Sequence, residues 1–338
     1  MSLIIRDIPI EPNLILAPME GVTDVIFRRL VRKIGGCGLT VTEFIAAEGL
    51  RRNVKKVMEM AEFDPDEHPL SIQIYGRNPS SMAEGARIVQ DLGADIVDLN
   101  MGCPSKKVCA HSGGSALMKE PELARDIVRA MRAAVDIPFT VKMRSGWNVP
   151  NKNAPEIAWM CQEEGAEMVA IHWRTRADLY GGERELDTIR TCVDRLTIPV
   201  VANGDIVDAS SALDTLAQTG AAGLMIGRGA IRNPWVFQEI AAAMQGKPIP
   251  SVDLDARRVV LLGYLGDIRD RFHTERGTLG RFKKISGYFT RGIPYGSELR
   301  QGIFHSQEIA EAIDVVETFF DTLPGRLGPR HREFRQSA

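Results

Sequence analysis

The sequence predicts a barrel of eight parallel β-strands with helices between them, followed by a smaller helical domain. Short apolar runs that end in polar or glycine residues alternate with longer amphipathic segments, which is typical of βα units. Eight such runs occur, the number that closes a (β/α)8 barrel. The 338 residues exceed the roughly 250 that such a barrel needs, which leaves room for a second domain.

The eight strands are predicted over residues 14–19, 39–44, 70–76, 96–102, 139–144, 168–173, 199–204 and 223–228. Several of these runs are apolar without alternation, as expected for strands that are covered on both faces. An open doubly wound sheet is the alternative. No Gly-x-Gly-x-x-Gly follows the first strand, so the dinucleotide-binding form of that alternative loses its main support.

The chain after the eighth strand changes in composition. We expect a barrel domain over residues 1–245, a helical domain over 246–324 with an amphipathic helix near Ser306 to Leu323, and a frayed tail over 325–338. Residues 257–300 carry ten Lys or Arg against four Asp or Glu, although the whole chain has a net charge of -2. This local excess indicates either a solvated helix face or a surface for a polyanion.

Composition narrows the class of protein further. The hydrophobic fraction of 44% and the charged fraction of 25% are typical of a globular protein. The N-terminus lacks the features of a signal peptide and no stretch reaches membrane-spanning length, so we expect a cytoplasmic protein without a membrane partner. Five scattered cysteines favour reduced thiols, and because they form no zinc pattern we expect no metal.

Polar residues at the strand ends predict one shared pocket, because all strand C-termini of a barrel meet at the same face. The seventh and eighth strands end in Asn-Gly-Asp and Ile-Gly-Arg, and loops after these strands commonly hold phosphate. A phosphorylated cofactor is therefore predicted. The residues collected at strand ends include Pro18, Met19, Gln73, Asn100, Cys103, Lys142, Arg144, His172, Arg174, Asn203, Gly204, Asp205, Gly227 and Arg228.

Lys142 lies inside a strand pattern, where a lysine must point into the pocket because burying its charge elsewhere is costly. Two roles compete: a Schiff-base nucleophile, or a fixed cation that stabilises negative charge on a reduced aromatic cofactor. The amide of Gln73 and the imidazole of His172 suit the edge of a planar heterocycle with a phosphate tail. No paired carboxylates are placed for aldol chemistry, so a flavin fits this set better.

Cys103 follows the fourth strand directly, between Gly102 and Pro104. Free cysteine is often a small buried hydrophobe, but this loop is rich in lysine and glycine, and we expect it to be mobile and accessible to solvent. A thiol with an unperturbed pKa of about 8.5 can donate a proton or act as a nucleophile. The neighbouring Lys106 and Lys107 are expected to lower that pKa.

Six motifs together resemble the tRNA-dihydrouridine synthases, and most closely their bacterial DusB-like branch. They cover nearly the whole predicted barrel in the right order, which makes the joint match specific. The motifs are APMEGVTD at 17–24, NMGCPSKKV at 100–108, VKMR at 141–144, IHWRTR at 171–176, NGDI at 203–206 and IGR at 226–228. The C-terminal similarity is looser and rests on residues 280–284 and Tyr288.

The resemblance implies an FMN enzyme that uses NADPH to reduce the C5=C6 bond of particular uridines in tRNA. It implies that hydride from reduced FMN reaches C6 and that Cys103 protonates C5 from the opposite face. Asn100 would then hydrogen-bond the uracil edge, and Tyr180 would stack on the extracted base. The implied cofactor-binding residues are Pro18, Met19, Glu20, Gln73, Lys142, His172, Asn203, Gly204, Asp205, Gly227 and Arg228.

A uridine inside a folded tRNA must be extracted to reach such a pocket, and contacts to phosphates must offset that cost. The cations expected to make them are Lys106, Lys107, Arg144, Arg174, Arg176, Arg281, Lys283, Lys284 and Arg291. Two alternatives stay open: an FMN barrel that reduces a free pyrimidine, and an RNA-binding protein that has lost catalysis. We expect the protein to be a monomer.

Overall fold

A computed structural model describes residues 3–110, 113–272 and 274–327 of the chain. Its strands are β1 (Leu3–Ile5), β2 (Ile8–Ile10), β3 (Leu14–Leu16), β4 (Leu39–Val41), β5 (Ile45–Ala46), β6 (Leu70–Tyr75), β7 (Ile96–Met101), β8 (Phe139–Arg144), β9 (Met168–His172), β10 (Val200–Asn203) and β11 (Gly223–Ile226). The eight predicted strands are β3, β4 and β6 to β11. They pair in parallel and the circle closes between β4 and β6, so the barrel prediction is confirmed.

Helices connect the strands and follow the last one. They are α1 (Val25–Ile34), α2 (Ala47–Arg51), α3 (Lys55–Met60), α4 (Pro79–Asp91), α5 (Lys106–Ala110), α6 (Pro121–Arg132), α7 (Ala154–Glu163), α8 (Asp187–Arg195), α9 (Ala209–Thr219), α10 (Arg228–Arg232), α11 (Val236–Met244), α12 (Leu254–Phe272), α13 (Glu275–Phe289), α14 (Gly296–His305) and α15 (Ile309–Arg326). Local sequence fixes several ends. Asp24 caps α1 by accepting from the backbone N–H of Phe27, and α9 ends at Gly220 in the left-handed conformation.

The barrel interior is apolar at one end and polar at the other. Leu3 and Ile10 from the β1–β2 hairpin pack with inward-facing Ile15, Ile96 and Met225 in one buried cluster. This hairpin, which the sequence analysis did not predict, lies at the N-terminal ends of the barrel strands, because Leu3 lies beside the first residue of β11. Reactive groups are therefore confined to the opposite end.

The four helices α12 to α15 pack onto the barrel through a continuous apolar core. Leu261, Leu265 and Phe282 are almost fully buried and belong to the same cluster as the barrel's outer residues. The predicted amphipathic helix is present as α15, which extends to Arg326, two residues into the predicted tail. The rest of that tail, from residue 328, lies outside the described residues. Every described helix is too short or too polar to cross a bilayer.

Candidate active site

A cavity of about 840 Å³ opens at the C-terminal ends of the barrel strands. This volume is within the range of small-molecule and cofactor sites. Most of the predicted site residues contribute to its wall, and they come from the ends of six of the eight barrel strands. The predicted residues that line it are Pro18, Met19, Glu20, Asn100, Cys103, Lys106, Lys142, Arg144, His172, Tyr180, Asn203, Gly204, Asp205, Gly227 and Arg228.

Cys103 lines the cavity directly after β7 and is only 8% exposed. Burial is the largest influence on its thiol and raises its pKa, whereas Arg144 and the backbone N–H of Ser105 act in the opposite direction. The prediction that neighbouring lysines lower this pKa is therefore wrong, because desolvation outweighs the nearby charges. A buried thiol with a raised pKa carries its proton at neutral pH and is suited to act as an acid.

A chain of buried side chains connects the barrel interior to Cys103. Gln73 donates from Nε2 to Asp98 (2.6 Å) and accepts at Oε1 from Asn100 (2.6 Å). Asn100 Oδ1 in turn accepts from the backbone N–H groups of Gly102 (3.2 Å) and Cys103 (2.9 Å). Gln73 is fully buried and is not among the residues that line the cavity, so it lies behind the cavity wall.

Lys142 extends from β8 into the cavity, as the strand pattern predicts. Desolvation, reinforced by Arg144, lowers the pKa of its ammonium group to about 8, while Asp98 acts in the opposite direction. No described residue accepts a hydrogen bond from this ammonium group. Lys142 is thus a partly desolvated cation that would bind an anionic or electron-rich group.

His172 ends β9 and presents a neutral imidazole to the cavity. Burial, together with the positive charge of Lys142, holds the pKa of the ring well below its usual value. Nδ1 accepts from the backbone N–H of Arg174 at 3.1 Å, so the proton of the neutral ring lies on Nε2. The imidazole therefore offers one N–H donor to a ligand.

The loops after β10 and β11 form the other end of the cavity. Gly204 has a φ of +114°, and a Cβ there would lie 2.5 Å from the Trp173 ring, so only glycine fits. Asp205 follows in the left-handed conformation with a φ of 53° and accepts from Arg174 and Arg228. Backbone turns of this kind direct N–H groups towards an anion.

Three arginines predicted to contact RNA each contact protein groups in the structure. Arg144 lines the cavity, but it is 4% exposed and donates to the carbonyl groups of Gly102, Thr175 and Leu179, so it holds two loops together. Arg174 does not line the cavity, because Asp205 binds it in a bidentate pair at 2.9 and 2.7 Å. Arg176 lies over the Trp147 ring, outside the cavity wall.

Tyr180 is 62% exposed at the cavity mouth, where Arg144 and Arg228 approach its ring. The C-terminal cations lie farther from the cavity and contact the protein. Arg281 pairs with Asp24 (2.6 Å) and Lys284 donates to the carbonyl of Gly21 (2.7 Å), so α13 docks on the loop after β3. Lys283 donates to the carbonyl of Ser306, whereas the Lys107 side chain lies outside the described part of the structure.

Several residues of the site were not predicted from the sequence. The alternation along β7 carries the signal for Asp98, because it lies two residues before Asn100 and faces the same side. The apolar part of the wall carried no such signal, because apolar residues near strand ends resemble ordinary core. The missed wall residues include Phe44, Ile206, Val207 and Ile231, together with the cation Arg232.

Comparison of the sequence with known protein families identifies the family of this chain. The profile described as Dihydrouridine synthase (Dus) matches residues 15–323, which is nearly the whole chain. The chain belongs to the dihydrouridine synthase family. This membership makes it an enzyme and confirms the resemblance found in the sequence.

Relatives within the dihydrouridine synthase family match over most of their length. The chain is 40% identical over 331 residues to "tRNA-dihydrouridine synthase B" of Pseudomonas syringae pv. tomato, covering 97% of each chain. It is 36% identical over 327 residues to "Probable tRNA-dihydrouridine synthase" of Rickettsia bellii, covering 95% of this chain and 99% of that protein. A third relative, from Rhodobacter capsulatus, is 43% identical over 253 residues and covers 75% of this chain and 78% of that protein.

Proposed function

We propose that this member of the dihydrouridine synthase family reduces the C5=C6 bond of uridines in tRNA, with FMN as its cofactor and NADPH as the reductant. The observation that carries the proposal is the pair of groups that line one cavity: the protonated thiol of Cys103 and the ammonium of Lys142. Reduction of a polarised double bond needs a proton donor and a group that stabilises negative charge. The printed names of the relatives support tRNA as the substrate.

The cavity fits FMN by its donor set. Lys142 has no described acceptor, and the His172 ring offers an N–H donor, so both suit the carbonyl and nitrogen edge of a flavin ring. Gly204, Asp205 and Arg228 would hold the phosphate through backbone N–H groups and a guanidinium. Pro18 and Met19 would line the ring from the loop after β3.

Bound at this site and reduced, FMN would supply a hydride for C6 of the uracil. Negative charge then develops at C5 and O4, and a bond to a proton must form at C5. Cys103 donates that proton as its S–H bond breaks, and solvent returns a proton to the thiolate. Burial keeps the Cys103 thiol protonated until that moment, because the charged form is poorly solvated there.

Asn100 would orient the uracil. Its Oδ1 is occupied by two backbone N–H groups, and one Nδ2 hydrogen is donated to Gln73. The second Nδ2 hydrogen remains for a ligand, since an amide nitrogen carries two. Asn100 would donate it to a uracil carbonyl, and exposed Tyr180 would stack on the extracted base at the mouth.

The test is an assay of the purified protein with FMN, NADPH and an unmodified tRNA transcript. Mass spectrometry of the digested tRNA should show dihydrouridine, and its formation should require both FMN and NADPH. Free uridine and uracil are the matched substrates. Reduction of these small molecules without reduction of tRNA would favour an enzyme of free pyrimidines. A protein that binds tRNA but never FMN would contradict the proposal.

A further inference from the structure

The hydrogen-bond chain that ends at Cys103 has a fixed direction. Gln73 and Asn100 each carry an amide that is able to turn either way, so their own chemistry leaves the direction open. The two ends decide it. A carboxylate, Asp98, only accepts at one end, and two backbone N–H groups, of Gly102 and Cys103, only donate at the other. One arrangement of the two amides satisfies both ends.

The Asp98 end is itself firmly held. Asp98 is 3% exposed and lies in β7 between Gln73 of β6 and Thr140 of β8, which are its partners in the strand register. Thr140 donates its hydroxyl to the other carboxylate oxygen. Burial raises the pKa of Asp98 to about 6, so most of the carboxyl is ionised and accepts hydrogen bonds at neutral pH.

We propose that Asp98 is a positioning residue for the proton donor: through Gln73 and Asn100 it fixes the backbone at Gly102 and Cys103 and thereby aims the thiol. This inference rests on the proposed function of Cys103. The other restraints on this turn act on its carbonyl groups, because Arg144 donates to that of Gly102 and Ser115 donates to that of Cys103. The two backbone N–H groups are held by Asn100 Oδ1. The same chain also leaves the free Nδ2 hydrogen of Asn100 pointing in one direction, so both substrate-facing groups depend on Asp98.

Two variants of Asp98 separate its hydrogen-bond role from its charge. Asp98→Asn keeps an oxygen that accepts from Gln73 but removes the charge beside Lys142. Asp98→Leu keeps a similar volume and removes the acceptor. Thr140→Val is the matched control, because Thr140 is equally buried and contacts the same carboxylate outside the chain to Cys103.

The readouts are hydrogen exchange of the backbone amides at Gly102 and Cys103 in the FMN-bound protein, and kcat and KM with tRNA. Asp98→Leu should speed that exchange at least about tenfold and lower kcat by a similar factor, with KM for tRNA unchanged. Asp98→Asn and Thr140→Val should stay close to wild type in exchange. Wild-type exchange in Asp98→Leu, or equal acceleration in all three variants, would overturn the proposal.

A second route covers the case in which Asp98→Leu does not fold. Gln73→Met breaks the middle of the chain and should reproduce the fast exchange, whereas slow exchange in that variant would overturn the proposal. The exchange measurement needs no tRNA and no turnover. If the wild-type protein is inactive on tRNA, the proposed function is refuted. The hydrogen-exchange rates at Gly102 and Cys103 would still show whether Asp98 holds this turn in place.

Discussion

If FMN binds beside Lys142 as proposed, its affinity should depend on pH above neutrality. The pKa of Lys142 is lowered to about 8, so the ammonium loses its charge as the pH rises through 8. If FMN binds only the charged form, the apparent affinity scales with the protonated fraction of Lys142. That fraction is about 0.9 at pH 7 and about 0.09 at pH 9. The expected result is about tenfold weaker binding at pH 9 than at pH 7.

Titration of the cofactor-free protein with FMN, followed by quenching of flavin fluorescence, measures this dependence. Lys142→Arg should abolish the fall between pH 7 and 9, because a guanidinium stays charged in this range. Lys142→Met should bind weakly with little pH dependence. Lys106→Met is the matched control, since exposed Lys106 also lines the cavity, and it should retain the fall. An unchanged pH profile in Lys142→Met would refute the reasoning.

Three further predictions concern stability and RNA binding. Glu67→Ala should lower the free energy of unfolding by about 3–5 kcal/mol in a denaturant titration, because it leaves buried Arg28 without its bidentate partner. A loss of less than about 1 kcal/mol would contradict this prediction. Asp98→Asn should raise the free energy of unfolding at pH 7.5 by up to about 3 kcal/mol, since the pKa of Asp98 rises from 3.8 to about 6 and its ionised form is costly to bury. The sign of this change follows from proton binding, because folded Asp98 binds its proton more tightly than unfolded Asp98. The free-energy cost of burying the ionised carboxylate is therefore present above pH 6 and disappears as the pH falls towards 4. The stability gained by Asp98→Asn should disappear over the same range. Arg281→Ala should weaken tRNA binding and reduce its salt dependence by about one phosphate contact. The free energy of unfolding should change by less than about 1 kcal/mol, because the ion pair with Asp24 is exposed. Unchanged tRNA binding in gel-shift assays across salt concentrations would argue against a role for this cation.

The barrel was predictable because its signals are local. Each strand is a short apolar run, and its C-terminal end carries the polar or glycine residue that faces the site, as at Asn100, Lys142 and His172. The β1–β2 hairpin was not predicted, since two three-residue strands give too short a pattern to distinguish from a loop. The division into a barrel and a helical domain stays a prediction.

The sequence predicted which residues lie at the site, but not which groups they contact there. Sequence position brought Cys103 and Gln73 to the same end of the barrel, but only the packing shows that desolvation raises the thiol pKa and that Gln73 lies beneath the wall. The same holds for Arg174: its place after β9 is readable, whereas its pairing with Asp205 depends on a neighbouring loop. Partners distant in sequence leave no signal in a single chain.

The most direct measurement of the central claim is a single turnover with the FMN-bound enzyme, reduced by NADPH without oxygen and then mixed with tRNA. Wild type should form dihydrouridine as the flavin is reoxidised. Cys103→Ala should bind FMN and oxidise NADPH normally but form no dihydrouridine, because C5 receives no proton. Cys109→Ser, which changes a thiol on α5 of the same loop, should behave as wild type. Dihydrouridine formation at the wild-type rate in Cys103→Ala would contradict the account.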